Sequence, residues 1–439
     1  MRSVICLALL VGWVGCTSPN PKSCLDHHCS DPALPFCDED GSIGGTPGTC
    51  IAVGCTANTF EECRGDLALT CNATGDDYLM VDCPYGCGAT GCLPCNTAAC
   101  EKHIIPKYLP AVCDELTTLA AVTITQDKML DTSVASNCST VVTQMNGPEI
   151  CVVRGPTITI EAQKTFKVVG SRVLALVADR DLVVAGILDA SADYSTNGPG
   201  GGFLPSGSGA GQAGGGAGFR TVGASGGNDA GDGGAANGGL TAPNPSLVTA
   251  LMSGPRATRV APGQPSGGGG GGTTLISCRG MISVAGTVDV GGGGGIGDAQ
   301  MLQAPFTYSP SSGGGAGGVA VLQAVAVNVS GGVFANGGGG GGGGGPGNSG
   351  SDGLRSRNPA PGGPPGGLNN TGGMGGVGGA IVGPGPGTRP ATTNCGTGCG
   401  AGGASAGFVL TYSPVGSSPG LDTATVSPAF EPHITIPTN

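Results

Sequence analysis

Two aspartates, Asp189 and Asp289, occupy the same place in two similar segments, LVADRDLVVAGILDA and ISCRGMISVAGTVDV. If such segments stack, their carboxylates could form an acid/base pair for glycoside chemistry or a calcium site. Asp179, Arg180 and Asp181 sit one turn earlier. A third similar segment, LQAVAVNVSGGVFAN, has Ala335 at that place, and a solvent-facing Asp before a glycine turn is the simpler account. Gly403-Ala-Ser405-Ala-Gly407 matches the nucleophile-elbow pattern, and Asp422 and His433 follow in the chain order of an α/β-hydrolase triad. The same pattern recurs around Ser225 and Ser418, no strand-to-helix turn surrounds Ser405, and too few residues separate it from His433 for that fold. No Lys occurs beyond Lys167, so the glycine tracts cannot form a phosphate-binding loop of the Gly-Lys type.

Metal-binding patterns are equally sparse. Cys24-Leu-Asp-His27-His28-Cys29 mixes zinc-binding residue types, but in an exported chain a disulfide with surface histidines is the expected state. GGNDAGDGG at 226–234 resembles one calcium-binding nonapeptide with wrong spacing, and Asp38 and Asp40 lack the later Glu of an EF-hand loop. Calcium is left open without an assigned site, and no catalytic, cofactor or metal residue is expected. Arg64-Gly65-Asp66, between Cys63 and Cys71, could present an adhesion tripeptide in a disulfide loop, but so short a motif arises by chance.

The elements that must position these residues are set by an unusual composition. Of 439 residues, 91 are Gly and 33 Pro, while 11% are charged and 4% aromatic. Glycine contributes no side chain to a core, so one conventional enzyme domain is not expected, and the tracts lack the period of three of collagen. Residues 1–192 hold 16 of the glycines and residues 193–409 hold 73, which implies at least two structural units. The net charge of −11, from 18 basic and 29 acidic residues, disfavours nucleic acid and suits contact with carbohydrate or envelope material.

The first 15 residues read as a signal peptide: an early Arg2, an apolar run from Val4 to Val14 and a small Gly15. Val14-Gly15-Cys16 resembles a lipoprotein cleavage box, which makes Cys16 the expected lipid attachment site and 16–23 a lipidated tether. Membrane attachment would then be through lipid, since no later apolar run is long enough to span a bilayer. Of 20 cysteines, removing Cys6 and lipidating Cys16 leaves 18, an even number fit for nine disulfides. Disulfide candidates are Cys24, Cys29, Cys37, Cys50, Cys55, Cys63, Cys71, Cys83, Cys87, Cys92, Cys95 and Cys100 in a stapled region 24–100, together with Cys395 and Cys399. Their pairing is not readable from the sequence.

Residues 101–150 form a transition with one short helix expected in DELTTLAAV. From 151 to 439 the chain turns to short β-branched runs (ICVV, TITIE, TFKVV, RVLALVA, DLVVAGIL), each a strand candidate. Aligning Gly186, Gly286 and Gly332 exposes a diverged repeat, with Leu176, Ile276 and Leu322 ten residues earlier, and GFVLTYSP begins a partial fourth copy. This predicts a mainly β chain: small disulfide-rich modules, then an irregular β-solenoid-like domain with long Gly-rich loops. The glycine tracts admit two other states, a disordered linker or polyproline-II-like helices packed backbone to backbone.

The chain is similar to a family of myxobacterial-type surface lipoproteins with Cys-rich modules and a Gly-rich β-repeat region. The likeness is carried by PFCDEDGSIGGTPGTCIAVGC, CNATG with VDCPYGC, QMNGPEICVVRGPTITIEA, LVADRDLVVAGILDASA and VFANGGGGGGGG. It implies an envelope or secreted location, no established enzymatic activity and no catalytic residues to transfer. The expected function is a non-enzymatic structural or adhesive lipoprotein, exported and anchored on the bacterial envelope, with the outer membrane favoured. The alternatives are a secreted polysaccharide-active β-solenoid enzyme and a passive low-complexity spacer.

Overall fold

The computed structural model describes residue 24, most of 29–92, all of 102–204, and segments of 213–438 separated by stretches of which 228–240, 258–265, 389–397 and 415–424 are the longest. The lipid and signal expectations at residues 1–23, and Cys55, Cys95, Cys100, Cys395, Asp40, His27 and His28, lie outside the described residues. The chain is mainly β and divides into two compact units, 1–100 and 101–439.

The first unit is built from short antiparallel pairs. β1 (Phe36–Asp38) pairs with β2 (Thr49–Ile51), β3 (Phe60–Arg64), β4 (Leu67–Cys71) and β5 (Tyr78–Asp82) form a meander, and β6 (Cys87–Gly88) pairs with β7 (Gly91–Cys92). Few side chains are buried there, and cross-links stand in for a core. Cys24 is bonded to Cys37, Cys29 to Cys50, Cys63 to Cys87 and Cys83 to Cys92, and Cys71 is also in a disulfide. Because Cys63 is bonded to Cys87, the Arg64-Gly65-Asp66 tripeptide is not enclosed in a Cys63–Cys71 loop. Arg64 ends β3 and is held by Glu62 at 2.7 Å, and Gly65 follows at a φ of +62°, while Asp66 lies outside the described residues.

The strands of the second unit stack mostly in parallel, except that Thr140–Val142 runs antiparallel to Ile150–Gly155 and Met301–Leu302 antiparallel to Thr307–Tyr308. In chain order these are β8 (Val122–Ile124), β9 (Lys128–Asp131), β10 (Thr140–Val142), β11 (Ile150–Gly155), β12 (Ile158–Ile160), β13 (Thr165–Val169), β14 (Val173–Ala178), β15 (Leu182–Val184) and β16 (Ile187–Asp189). After a long glycine-rich stretch come β17 (Gly272–Val284), β18 (Thr287–Asp289), β19 (Met301–Leu302), β20 (Thr307–Tyr308), β21 (Val319–Val329), β22 (Gly332–Phe334), β23 (Phe408–Ser413), β24 (Thr425–Ser427) and β25 (Ile434–Thr435). One sheet carries β11, β14, β17, β21 and β23 side by side, and a second runs β9-β13-β16-β18-β22-β24. The sheets do not close on themselves.

All six residues of β14 are buried, as expected for a parallel strand covered on both faces. Leu174, Leu176 and Ala178 enter a core shared with Phe166, Leu188, Val288 and Val333 of the second sheet. Val173, Ala175 and Val177 point the other way, onto Ile104, Phe219, Leu251 and Tyr412. Complete burial of Leu176 contributes about 2 kcal/mol relative to exposure. Cys113–Cys278 and Cys138–Cys151 cross-link this unit, and Cys399 is also in a disulfide.

Two details of the repeat differ from its sequence alignment. Ile276 does not pair with Leu176; Leu275 does, and Leu322 pairs with Leu275, because after Ser277 β17 carries one residue more than the β14–β15 segment and two more than β21. Likewise Gly331, not Gly332, occupies the corner. A Cβ on Gly286 would lie 1.9 Å from Gly186 O, and one on Gly331 would lie 2.0 Å from Gly286 O, so the three glycines stack with no room for a side chain. Phe334, not Ala335, therefore pairs with Asp289. The short helix expected in DELTTLAAV is absent: the segment is irregular, with bends at Asp114, Glu115 and Leu119, and is held by Thr117 N–H donating to Asp179 and Glu115 C=O accepting from Arg154.

The glycine tracts form a third kind of order. Along 337–343 successive N–H groups turn through three directions. Those of Gly337, Gly340 and Gly343 donate to Gly379, Gly376 and Gly373; Gly338 and Gly341 donate to Gly315 and Ser312; Gly339 and Gly342 donate to Ser351 and Asn348. Carbonyls repeat the rotation, with Gly338 and Gly341 accepting from Ala404 and Ala401, Gly340 and Gly343 from Gly363 and Gly366, and Asn336 and Gly339 from Gly292 and Gly295. A three-residue period with partners on six sides is the signature of the extended three-fold helix, not of a strand. In 373–378 every Gly is buried while Met374 and Val377, three apart, are exposed.

Candidate functional site

The repeat brings Asp189 and Asp289 together. They are register partners on β16 and β18, at the same turn out of the second sheet. Arg355, from the segment after the long glycine run, reaches across both: Nε donates to Asp289 Oδ2 at 2.7 Å and Nη2 to Asp189 Oδ2 at 2.9 Å. On the other side of Asp189, Lys167 Nζ donates to Oδ1 at 3.0 Å and the Ser191 hydroxyl donates to the same oxygen at 2.6 Å. Gly291 N–H donates to Asp289 Oδ1.

The two carboxyls shift in opposite directions. For Asp289, burial pushes the pKa up and the Arg355 guanidinium offsets this only in part, so the carboxyl stands above its ordinary value. For Asp189, burial also acts upward, but the Ser191 hydroxyl, the Lys167 ammonium and Arg355 outweigh it and hold the group below its ordinary value. Burial works against the charge of Arg355, and the two carboxylates overcome it and raise the guanidinium.

These groups line an open cleft of about 600 Å³, with Ser191, Asp193, Tyr194, Ser351, Asp352 and Leu354 completing its walls. Asp352 fixes the wall by accepting Tyr194 N–H at 3.0 Å and Gly294 N–H at 2.7 Å through Oδ1, and burial raises its pKa despite those bonds. Tyr194 is 48% exposed and adopts a φ of +42°, uncommon for a bulky residue. Its carbonyl accepts from Gly268 N–H, while reciprocal Asp193–Thr196 backbone bonds close the turn around it.

Other residues with chemical potential are placed elsewhere. Asp179 is paired with Arg154 at 2.9 Å, and Asp181 accepts Met281 N–H; neither lines the cleft. Ser405 is fully buried, its hydroxyl donating to Ala406 O and accepting from Thr221 N–H, whereas His433 bonds Thr411 and Ser413. Ser405 and His433 therefore serve separate local contacts, and Asp422 lies outside the described residues, as does most of GGNDAGDGG. Among the described residues the one set of three His, Cys, Asp or Glu residues close enough to share a metal is Cys24, Cys29 and Cys50, and all three are in disulfides.

Sequence reasoning found Asp189 and Asp289 but not Arg355, Lys167, Asp352 or Tyr194. Arg355 sits in SDGLRSRNP without any pattern, and only the folding of the glycine tracts returns it to the carboxylates. No family model, curated protein or solved structure matches the chain. Among the described residues no helix is long and apolar enough to cross a membrane.

Proposed function

We propose that the chain is a non-enzymatic surface lipoprotein, structural or adhesive, whose second unit is a rigid scaffold that projects fixed loops from the bacterial envelope. In this reading the parallel strands are the coils of an irregular β-solenoid and the glycine tracts are its packed extension. Cys16 carries the lipid, the cystine-rich unit is the spacer, and the outer membrane is the favoured site, in line with the resemblance to myxobacterial-type surface lipoproteins. The observation that carries the proposal is the six-sided hydrogen bonding of 336–343, which a passive, disordered spacer would lack. Multi-chain lipid would anchor such a protein stably.

Limited digestion of the full mature chain with proteinase K, followed by mass mapping, tests this reading. A resistant product covering about 102–438 is expected, and rapid cuts throughout the glycine tracts would overturn it. Unchanged processing in cells treated with globomycin would overturn the lipid assignment.

A polysaccharide-active enzyme is the second reading, favoured by the opposite pKa displacements of Asp189 and Asp289, as acid/base pairs require. Against it, Asp289 is 2% exposed and both carboxylates are held by Arg355. Loss of a detected hydrolytic activity in Asp189→Ala and Asp289→Ala chains would favour it.

A further inference from the structure

We propose that the cleft around Arg355 and Tyr194 binds an uncharged glycan, so that it is the recognition site of the adhesive scaffold described above, a reading on which this inference rests. The argument begins with how the cleft is held. Lys167, Asp189, Asp289 and Arg355 neutralise one another along its floor, which fixes their side chains without a ligand. Pre-organisation of this kind lowers the entropic cost of binding.

The groups available to a ligand define its chemistry. The Tyr194 ring is half exposed at the wall, and its backbone is fixed from both sides by Asp352 and Gly268. An exposed aromatic face on a fixed backbone suits the C–H face of a sugar ring, its apolar body against water and its edge near polar groups. Arg355 is 40% exposed and uses only Nε and Nη2 on the two aspartates, so Nη1 remains a donor. Both bonds to Asp352 fall on Oδ1, which leaves Oδ2 as an acceptor, and exposed Asp193 adds a second carboxylate. Donors and acceptors around an aromatic platform match a polyol better than a purely apolar molecule.

Charge and geometry narrow the class. The lining contains two cations, Lys167 and Arg355, and four carboxylates, Asp189, Asp193, Asp289 and Asp352. That balance opposes polyanions such as uronic acid polymers, phosphate chains and nucleic acid. The carboxylates do not gather three ligand oxygens at metal-sharing distance. The cleft is open to solvent, which leaves room for a polymer to run past the bound sugar unit.

Affinity electrophoresis of the full mature chain provides the test. Native gels would contain dextran, galactomannan or hydroxyethyl cellulose, with polygalacturonate as the acidic comparison. At least one uncharged polymer should retard the protein, and polygalacturonate should not. Tyr194→Asn, which removes the ring while Asn tolerates the positive φ, should weaken retardation at least tenfold, whereas Tyr194→Phe should stay within about threefold by preserving the platform. Proteinase K digestion of each variant checks that the scaffold is intact; a digested wild-type chain would instead indict the scaffold reading. With a resistant scaffold, no retardation by any uncharged polymer, retardation by polygalacturonate alone, or equal retardation of Tyr194→Asn would overturn the proposal.

Discussion

Within the second unit, the apolar ladder and the glycine lattice reach order by opposite routes. In the ladder, β14, β17 and β21 bury alternate side chains on two faces, and the hydrogen bonds between strands are shared with hydrophobic contact. In the lattice, segment 336–343 has no side chain beyond Asn336, yet its backbone bonds to six neighbours. The first arrangement tolerates a lost methyl group by partial collapse. The second has no slack, because the space of each Cβ is already filled by a carbonyl. Composition alone makes glycine look like an absence of structure; here its missing side chain is what lets backbones approach closely enough to satisfy one another.

Substitutions that add or remove one or a few carbons sharpen the contrast. Gly338→Ala should have the largest effect, since its Cβ would lie 2.1 Å from Gly293 O and the obstacle is backbone. A loss of about 4 kcal/mol or more in urea melts, or no cooperative transition, is expected. Leu176→Ala, in the fully buried ladder, should cost about 3 kcal/mol with the cooperative transition retained. If the two costs came in reverse order, the lattice would be the softer region and the comparison would fail.

Next comes Arg355→Ala, expected to cost about 2 kcal/mol at pH 7, below the usual range for breaking a buried pair because Arg355 is partly exposed. Its pH dependence follows from the two carboxyls. Asp189, held below its unfolded value near 3.9, contributes stability above that pH and loses it as pH falls through the folded value. Asp289, raised, contributes most below the unfolded value and progressively less as pH rises through its folded value. Removing Arg355 withdraws support from the first and raises the second further. The deficit of the variant should therefore shrink as pH falls from 7 toward 4; a constant deficit in paired melts would refute the clamp. The smallest effect belongs to Gly383→Ala, where a Cβ meets nothing within 4 Å and the change should stay within about 0.5 kcal/mol.

The sequence carried the β-branched runs and the corner glycines legibly, because strand propensity and close approach leave local marks. Asp189 and Asp289 were legible as a repeated position for the same reason. The bulge after Ser277 and the one-residue slip at Gly331 were not, since they depend on which strand accepts the extra residues. Arg355 was invisible because its partners lie 66 and 166 residues away in the chain. The disulfides Cys113–Cys278 and Cys138–Cys151 escaped notice as specific pairs: cysteine crowding drew attention to 24–100, while these join distant or sparsely spaced residues. The three-fold order of the glycine tracts was one of three states compatible with their composition, and only partners remote in sequence select it.

Hydrogen exchange of the full chain, read by mass spectrometry on peptides from 266–272, 291–297, 312–318, 337–343 and 400–407, tests the central claim most directly. Most of these residues are glycine and the rest are mainly alanine and serine, so protection would chiefly report their backbone bonds. The account predicts slow exchange in all five tracts, comparable with β14 and β17 and lost together with them on unfolding. Exchange at the rate of an unstructured glycine peptide across these tracts, with β14 and β17 still protected, would contradict it.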